Sequence, residues 1–176
     1  LQLTKLGESE ISQAQYLDIV KRKTAYLFSA CCEVGAILGR ANNSQRLALR
    51  DYGLNLGMAF QLTDDLLDFT ASEDAIGKAA GADLLGGKVT LPLINLMETD
   101  PSAREMVEKV LREGDYDGIS RANLLSALQA NGSLDRARQR ADEFAEAARS
   151  ALHAFPESDH SEALRSIPSY VIQRDH

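Results

Sequence analysis

The chain is poor in the residues that several common protein classes depend on. Its 176 residues include two cysteines, and these are neighbours, Cys31 and Cys32, inside a segment with helical patterning. Adjacent thiols neither brace a secreted disulfide framework nor supply the spaced pairs of a zinc site, so they read as small buried thiols in a reducing compartment. Basic charge is also scarce. Against 26 aspartates and glutamates stand 19 lysines and arginines, leaving a formal charge of -7. Such a balance argues against a partner held through nucleic-acid phosphates, and any anionic ligand must be met by a local cluster of cations. No apolar run reaches membrane-spanning length before a charge breaks it, and no basic stretch followed by an apolar one opens the chain. The expectation is a cytoplasmic protein without a transmembrane segment.

Alternation is missing too. No segment reads apolar-polar-apolar as a half-buried strand does, and there is no internal repeat or low-complexity stretch. Hydrophobic residues make up 44% of the chain, enough for the core of one ordinary domain, and they recur at helical spacing. The fold class expected is therefore all-α. Ser12 and Gln15 can form a capping box ahead of one long helix ending near Gly39, with Leu17, Val20, Leu27, Cys31, Val34 and Leu38 on its apolar stripe. Asn42, Asn43 and Ser44 offer a turn and a cap for a second long helix, to about Phe69, carrying Leu47, Leu54, Met58, Leu62 and Leu66. The short connection predicts that the two pack as antiparallel neighbours.

Between Thr70 and Lys88 the period fails, and Gly77, Gly81, Gly86 and Gly87 predict a mobile loop. Thr90 is placed to cap a short helix at Leu91, with Pro92 in its first turn. Further helices are predicted from Asp100 to about Arg112, over "ISRANLLSALQANG" with Gly132 closing it, over the Ala-rich run halted by Pro156, and over roughly residues 160–173.

One stretch of the second helix is chemically odd. In "FQLTDDLLD", Gln61, Asp64, Asp65 and Asp68 stand at i, i+3, i+4 and i+7, on a stripe that a buried seam normally fills with leucine. Carboxylates near a helix C-terminus are disfavoured by its dipole, so three together call for a compensating cation. Asp64 and Asp68 lie one turn apart, and oxygen donors with room for water suit Mg²⁺ better than zinc. A calcium-binding helix-loop-helix is excluded by spacing, since its ligands alternate along a loop. Acidic clusters on helices are ordinarily solvated surface. Here Leu62, Leu66 and Leu67 surround the acids, a Gly-rich segment bearing Lys78 and Lys88 follows, and Lys23 lies midway along the preceding helix. Carboxylates, a hard cation and lysines together make a clamp for a diphosphate.

"FQLTDDLLD", then "GKAAGADLLGGKVTLP", with "KTAYLF" earlier in the chain, closely resembles the trans-isoprenyl diphosphate synthases, the head-to-tail polyprenyl synthases. The ending "IPSYVIQRDH" is most similar to the octaprenyl-type long-chain members. The resemblance implies an all-α bundle around a central cavity, usually a homodimer. There, Mg²⁺ bridges two Asp-rich motifs to the diphosphate of an allylic substrate, and isopentenyl diphosphate condenses with it. By the same resemblance Asp64, Asp65 and Asp68 match the second Asp-rich motif and would hold the metal, with Asp64 and Asp68 the main contacts. Lys23 and Lys78 would grip the allylic diphosphate, with Lys88 at the same anion site. Thr24 and Gln61 would turn oxygen dipoles toward the developing cation, and Phe60 would border the isopentenyl diphosphate site. Asp83 reads either as an acid orienting Lys78 or a metal-bound water, or as a turn-former.

The resemblance also implies that residues 1–176 are the C-terminal portion of one polyprenyl synthase domain. "LQLTKLGESE" reads like the tail of an element already under way, and no second DDxxD run occurs. The first Asp-rich motif region is therefore expected to be missing, and the chain alone to be inactive or nearly so. A different class of reading is a non-catalytic helical subunit that regulates a prenyl synthase, against which the intact Asp64, Asp65 and Asp68 weigh.

Overall fold

A computed structural model of the chain describes residue 7 and residues 9–70, 81–117 and 119–174. Among the described residues there is no strand. The helices are α1 (Gln13–Val20), α2 (Tyr26–Leu38), α3 (Asn43–Thr70), α4 (Ala82–Leu85), α5 (Leu91–Thr99), α6 (Pro101–Glu113), α7 (Arg121–Ala130), α8 (Ser133–Ala151) and α9 (Asp159–Ile172). No helix among them is long and apolar enough to cross a membrane. The described residues form two compact units, one drawn from residues 7–19 and 64–138, the other of residues 20–63 and 139–174.

Local chemistry explains where the helices start. Ser12 and Gln15 exchange hydrogen bonds as a capping box, the Gln15 N–H to Ser12 Oγ at 3.2 Å and the Ser12 N–H to Gln15 Oε1 at 2.9 Å. Asn42 and Gln45 repeat the arrangement at the head of α3. Asp100 accepts from the N–H groups of Ser102 and Ala103 and starts α6, which ends at Gly114 in the left-handed conformation. Thr90 precedes α5 as expected, but its hydroxyl makes no capping bond and is buried without a partner.

In the first unit α5 is the central element. Its residues Leu91 through Met97 are all buried, as expected of a helix enclosed on every side. It packs on α6 and α7, while α4 packs on α6. The short α4 breaks the loop expected up to Lys88, and residues 71–80 lie outside the described residues.

The second unit depends on close helix contact. A Cβ on Gly57 would lie 2.6 Å from Ala25 Cα, and one on Gly53 would lie 2.5 Å from the Phe28 carbonyl oxygen. The two glycines let α3 run antiparallel against the α2 helix, as the short connection predicts. Nearby, Tyr52, Leu56, Ala148, Leu152 and Val171 form a buried cluster on which Phe28, Phe60, Phe155 and Leu164 pack. Pro168 sits inside α9 and has no N–H, so the Leu164 carbonyl one turn earlier loses its usual helical donor. The Tyr52 hydroxyl donates to that carbonyl at 2.8 Å.

The first long helix departs from its predicted stripe. Leu27, Val34 and Leu38 are exposed at 67%, 53% and 79%, and Cys31 is exposed and Cys32 half-buried, contrary to the reading of both as buried thiols. The buried side is Val20, Ala25, Ser29 and Ala36. The cause is a π-helical turn at Lys21–Ala25 between α1 and α2. One extra residue in a turn rotates everything after it by about 100°, so the stripe that begins at Leu17 and Val20 cannot continue through Leu27. Small residues then take the inner face, where α3 approaches closely.

Candidate functional site

The expected site residues fall into both units. In the first, the three aspartates of α3 have different surroundings. Asp64 is exposed, Asp65 is buried at 7% exposure, and Asp68 is half-buried. The Tyr16 hydroxyl donates to Asp65 Oδ2 at 2.6 Å. Burial first, and then the Asp65 charge, push the Tyr16 phenol well above its ordinary range, so it remains a neutral donor.

Asp68 takes the backbone N–H of Asp83 on both carboxylate oxygens, at 3.3 and 3.2 Å. Burial and then the Asp83 charge raise its pKa, against opposing hydrogen bonds from the N–H groups of Asp83 and Ala82 and the Lys88 charge. Lys88 Nζ sits 2.6 Å from Asp83 Oδ1, and this hydrogen bond is the main reason its pKa is raised. Asp83 is the ion-pair partner of Lys88, a role that the sequence reading did not give it. Lys78 lies outside the described residues.

The segment just before α4 is pinned at Gly81. Its φ of +79° requires glycine, and a Cβ there would strike the Tyr116 hydroxyl. The Gly81 N–H donates to the Asp68 carbonyl at 2.8 Å, and the Tyr116 hydroxyl donates to the Gly81 carbonyl at 2.9 Å. Asp83 is thereby held against Asp68.

In the second unit Lys23 and Thr24 both belong to the π turn. The Thr24 hydroxyl donates to Gln61 Oε1 at 2.8 Å, which joins the turn to α3. Lys23 is exposed, and Gln61 is buried at 6% exposure. The Phe60 ring lies 5.5 Å from that of Phe28, and the Arg174 guanidinium covers it at 4.4 Å. Tyr16, Tyr116 and Arg174 are absent from the sequence-based set. Tyr16 contacts a residue 49 positions away and Arg174 one 114 positions away, and no local pattern carries such pairings.

Among the described residues, no three histidine, cysteine or acidic side chains are gathered so as to hold a metal ion. The donor chemistry of Asp64 and Asp68 nevertheless fits a hard divalent cation: two carboxylates stand one helical turn apart on α3, and both are oxygen donors.

The polyprenyl synthetase family model matches residues 1–127. The chain belongs to the polyprenyl synthetase family. It is 38% identical over 176 residues to the octaprenyl diphosphate synthase of Escherichia coli strain K12, a match that covers 99% of this chain and 54% of that protein. Its fold matches the crystal structure of a polyprenyl synthase from Caulobacter crescentus CB15, complexed with calcium and isoprenyl diphosphate, at a TM-score of 0.91 and 36% identity. A decaprenyl diphosphate synthase from Rhodobacter capsulatus matches at 0.89 and 35%. Each structural match covers 99% of this chain and 54% of the other. The chain thus spans about half the length of these family members, and the all-α bundle expected from the sequence is the family's fold.

Proposed function

We propose that this chain contributes half of the catalytic apparatus of a prenyltransferase that makes linear isoprenyl diphosphates by head-to-tail condensation. The substrates are an allylic diphosphate and isopentenyl diphosphate, and the cofactor is Mg²⁺. The reading is carried by the family membership together with the acid-rich end of α3 and its cationic neighbour Lys88.

In this reading Asp64 and Asp68 hold the cation, and Asp65 belongs to the same motif. The cation, when bound, neutralises charge that develops on the departing diphosphate. Lys23, Lys78 and Lys88 bind the same anion; Lys88, already paired with Asp83, would exchange that partner for phosphate oxygens. The C–O bond of the allylic substrate breaks with its electron pair going to diphosphate. The double bond of isopentenyl diphosphate then attacks the allylic carbon, and a proton is lost. Thr24 fixes the Gln61 amide by its hydrogen bond, directing an oxygen dipole toward positive charge on the allylic carbon. Phe60 borders the isopentenyl diphosphate site.

One DDxxD run is present in the 176 residues, so the chain alone gives little or no product. The complete enzyme is read as a cytoplasmic homodimer. A chimera in which this chain replaces the matching segment of the Escherichia coli octaprenyl synthase tests the assignment. Turnover is expected there, and Asp64→Ala or Asp68→Ala should lower it by about 10²–10³-fold. Unchanged turnover of Asp64→Ala would favour a regulatory helical subunit instead, and robust prenyl transfer by the 176-residue polypeptide would overturn the half-site reading.

A further inference from the structure

The three aspartates of α3 are not equivalent. Asp64 is exposed and Asp68 is half-buried, whereas Asp65 is 7% exposed and Tyr16, itself 4% exposed, holds its Oδ2 at 2.6 Å. Turning so enclosed a carboxylate outward toward a cation beside Asp64 and Asp68 would break this buried bond, a costly exchange. Successive helical residues also point about 100° apart, so Asp64 and Asp65 address different directions, whereas Asp64 and Asp68 address nearly the same one.

We propose that Tyr16 is a positioning residue for this motif: it locks Asp65 into the interior of the first unit, fixing the rotation of α3 so that the cation falls to Asp64 and Asp68. The inference rests on the metal-binding reading above. Asp65 then serves as an anchor and not as a ligand. Two anchors hold this end of α3: the α1 helix through Tyr16, and the α4 segment through the Asp83 N–H on Asp68. Lys88 completes the set by drawing the Asp83 carboxylate to itself.

The test is Mn²⁺ titration of the 176-residue chain, followed by the paramagnetic signal of the free ion, for Tyr16→Phe, Asp65→Asn and their double variant, with Asp64→Asn and Asp68→Asn alongside. Loss of Asp64 or Asp68 is expected to weaken Mn²⁺ at least tenfold. Tyr16→Phe and Asp65→Asn should each weaken it by the same smaller factor, about three- to fivefold, and the double variant no further, because both undo one lock. A merely structural tyrosine would not move the ion's affinity. The proposal fails if Asp65→Asn weakens Mn²⁺ as much as Asp64→Asn does while Tyr16→Phe leaves it unchanged. The same cycle read in melting temperature without metal stands independently: coupled losses support the lock, and additive losses overturn it even where Mn²⁺ binds too weakly to titrate. Should Asp64→Asn and Asp68→Asn leave a measurable affinity intact, the metal-binding reading falls, while the melting cycle still reports on the lock.

Discussion

Replacing Tyr52 with phenylalanine isolates a single unusual hydrogen bond. Pro168 deprives the Leu164 carbonyl of its helical donor, and the Tyr52 hydroxyl supplies a substitute at 2.8 Å from the far side of the unit. Tyr52 is 1% exposed, so the space its hydroxyl leaves is largely closed to water from that side. An unsatisfied buried acceptor costs about 1–3 kcal/mol, and Leu164 is only half-buried, so the lower part of that range, about 1–2 kcal/mol, is expected. For a chain of this size that corresponds to a fall of about 2–8 °C in melting temperature. The decisive comparison is with Pro168→Ala, which restores an N–H to the α9 ladder. In that background Tyr52→Phe should cost at least about 1 kcal/mol less, because the carbonyl has regained a local partner. Thermal unfolding by circular dichroism of the four proteins gives the coupling directly. Additivity within about 0.5 kcal/mol would refute the view that Tyr52 serves the carbonyl orphaned by Pro168.

Other expectations follow from the same physics. Burial, with a smaller contribution from Cys32, pushes the Tyr52 phenol up to about 12. The folded state therefore keeps a proton that the unfolded chain releases near 10, and stability present below pH 10 should be lost between about pH 10 and 12, less steeply in Tyr52→Phe. Gly57→Ala places a Cβ 2.6 Å from Ala25 Cα, about 0.8 Å inside ordinary contact. Overpacking of about 1–3 kcal/mol outweighs a propensity gain of about 1 kcal/mol, so melting should fall. Gly35→Ala, in exposed α2 with open space around the new methyl, should raise it; a rise in both would show that α2 and α3 do not approach so closely. Asp100→Ala removes the acceptor for Ser102 and Ala103 at the start of α6. A hydrogen bond from the Ser102 hydroxyl, and then the Ala103 and Ser102 N–H groups, hold the Asp100 pKa below its ordinary value. Stability present above the ordinary carboxylate pKa is therefore lost as the pH falls through the lowered one, and the difference between the two proteins should shrink there, which melts recorded across acid pH would reveal.

Much of this protein is legible in its sequence because the signals are local. A capping box needs residues three apart, and Ser12 with Gln15 announces α1 as clearly as Asp100 and Pro101 announce α6. The "TDDLLD" run declares an acid-rich helix end that wants a cation, and its order with "KTAYLF" and "GADLLGGK" resembles one family, to which the chain belongs. Three things were settled by tertiary structure. The π turn at Lys21–Ala25 moved Leu27, Val34 and Leu38 outward, because a single inserted residue changes the phase of every later side chain while leaving the apolar period looking intact. Asp64 and Asp65 are identical in sequence, yet one is exposed and the other buried against Tyr16, since only the packing of α1 on α3 brings a hydroxyl to one of them. The sequence predicts a last helix running through Pro168, but only the fold shows how the carbonyl that this proline leaves without a donor is satisfied, by the hydroxyl of Tyr52, distant in the chain. Sequence fixes which groups are available and their local spacing, whereas the partner that satisfies a buried polar atom is chosen by chain contacts that no local period encodes.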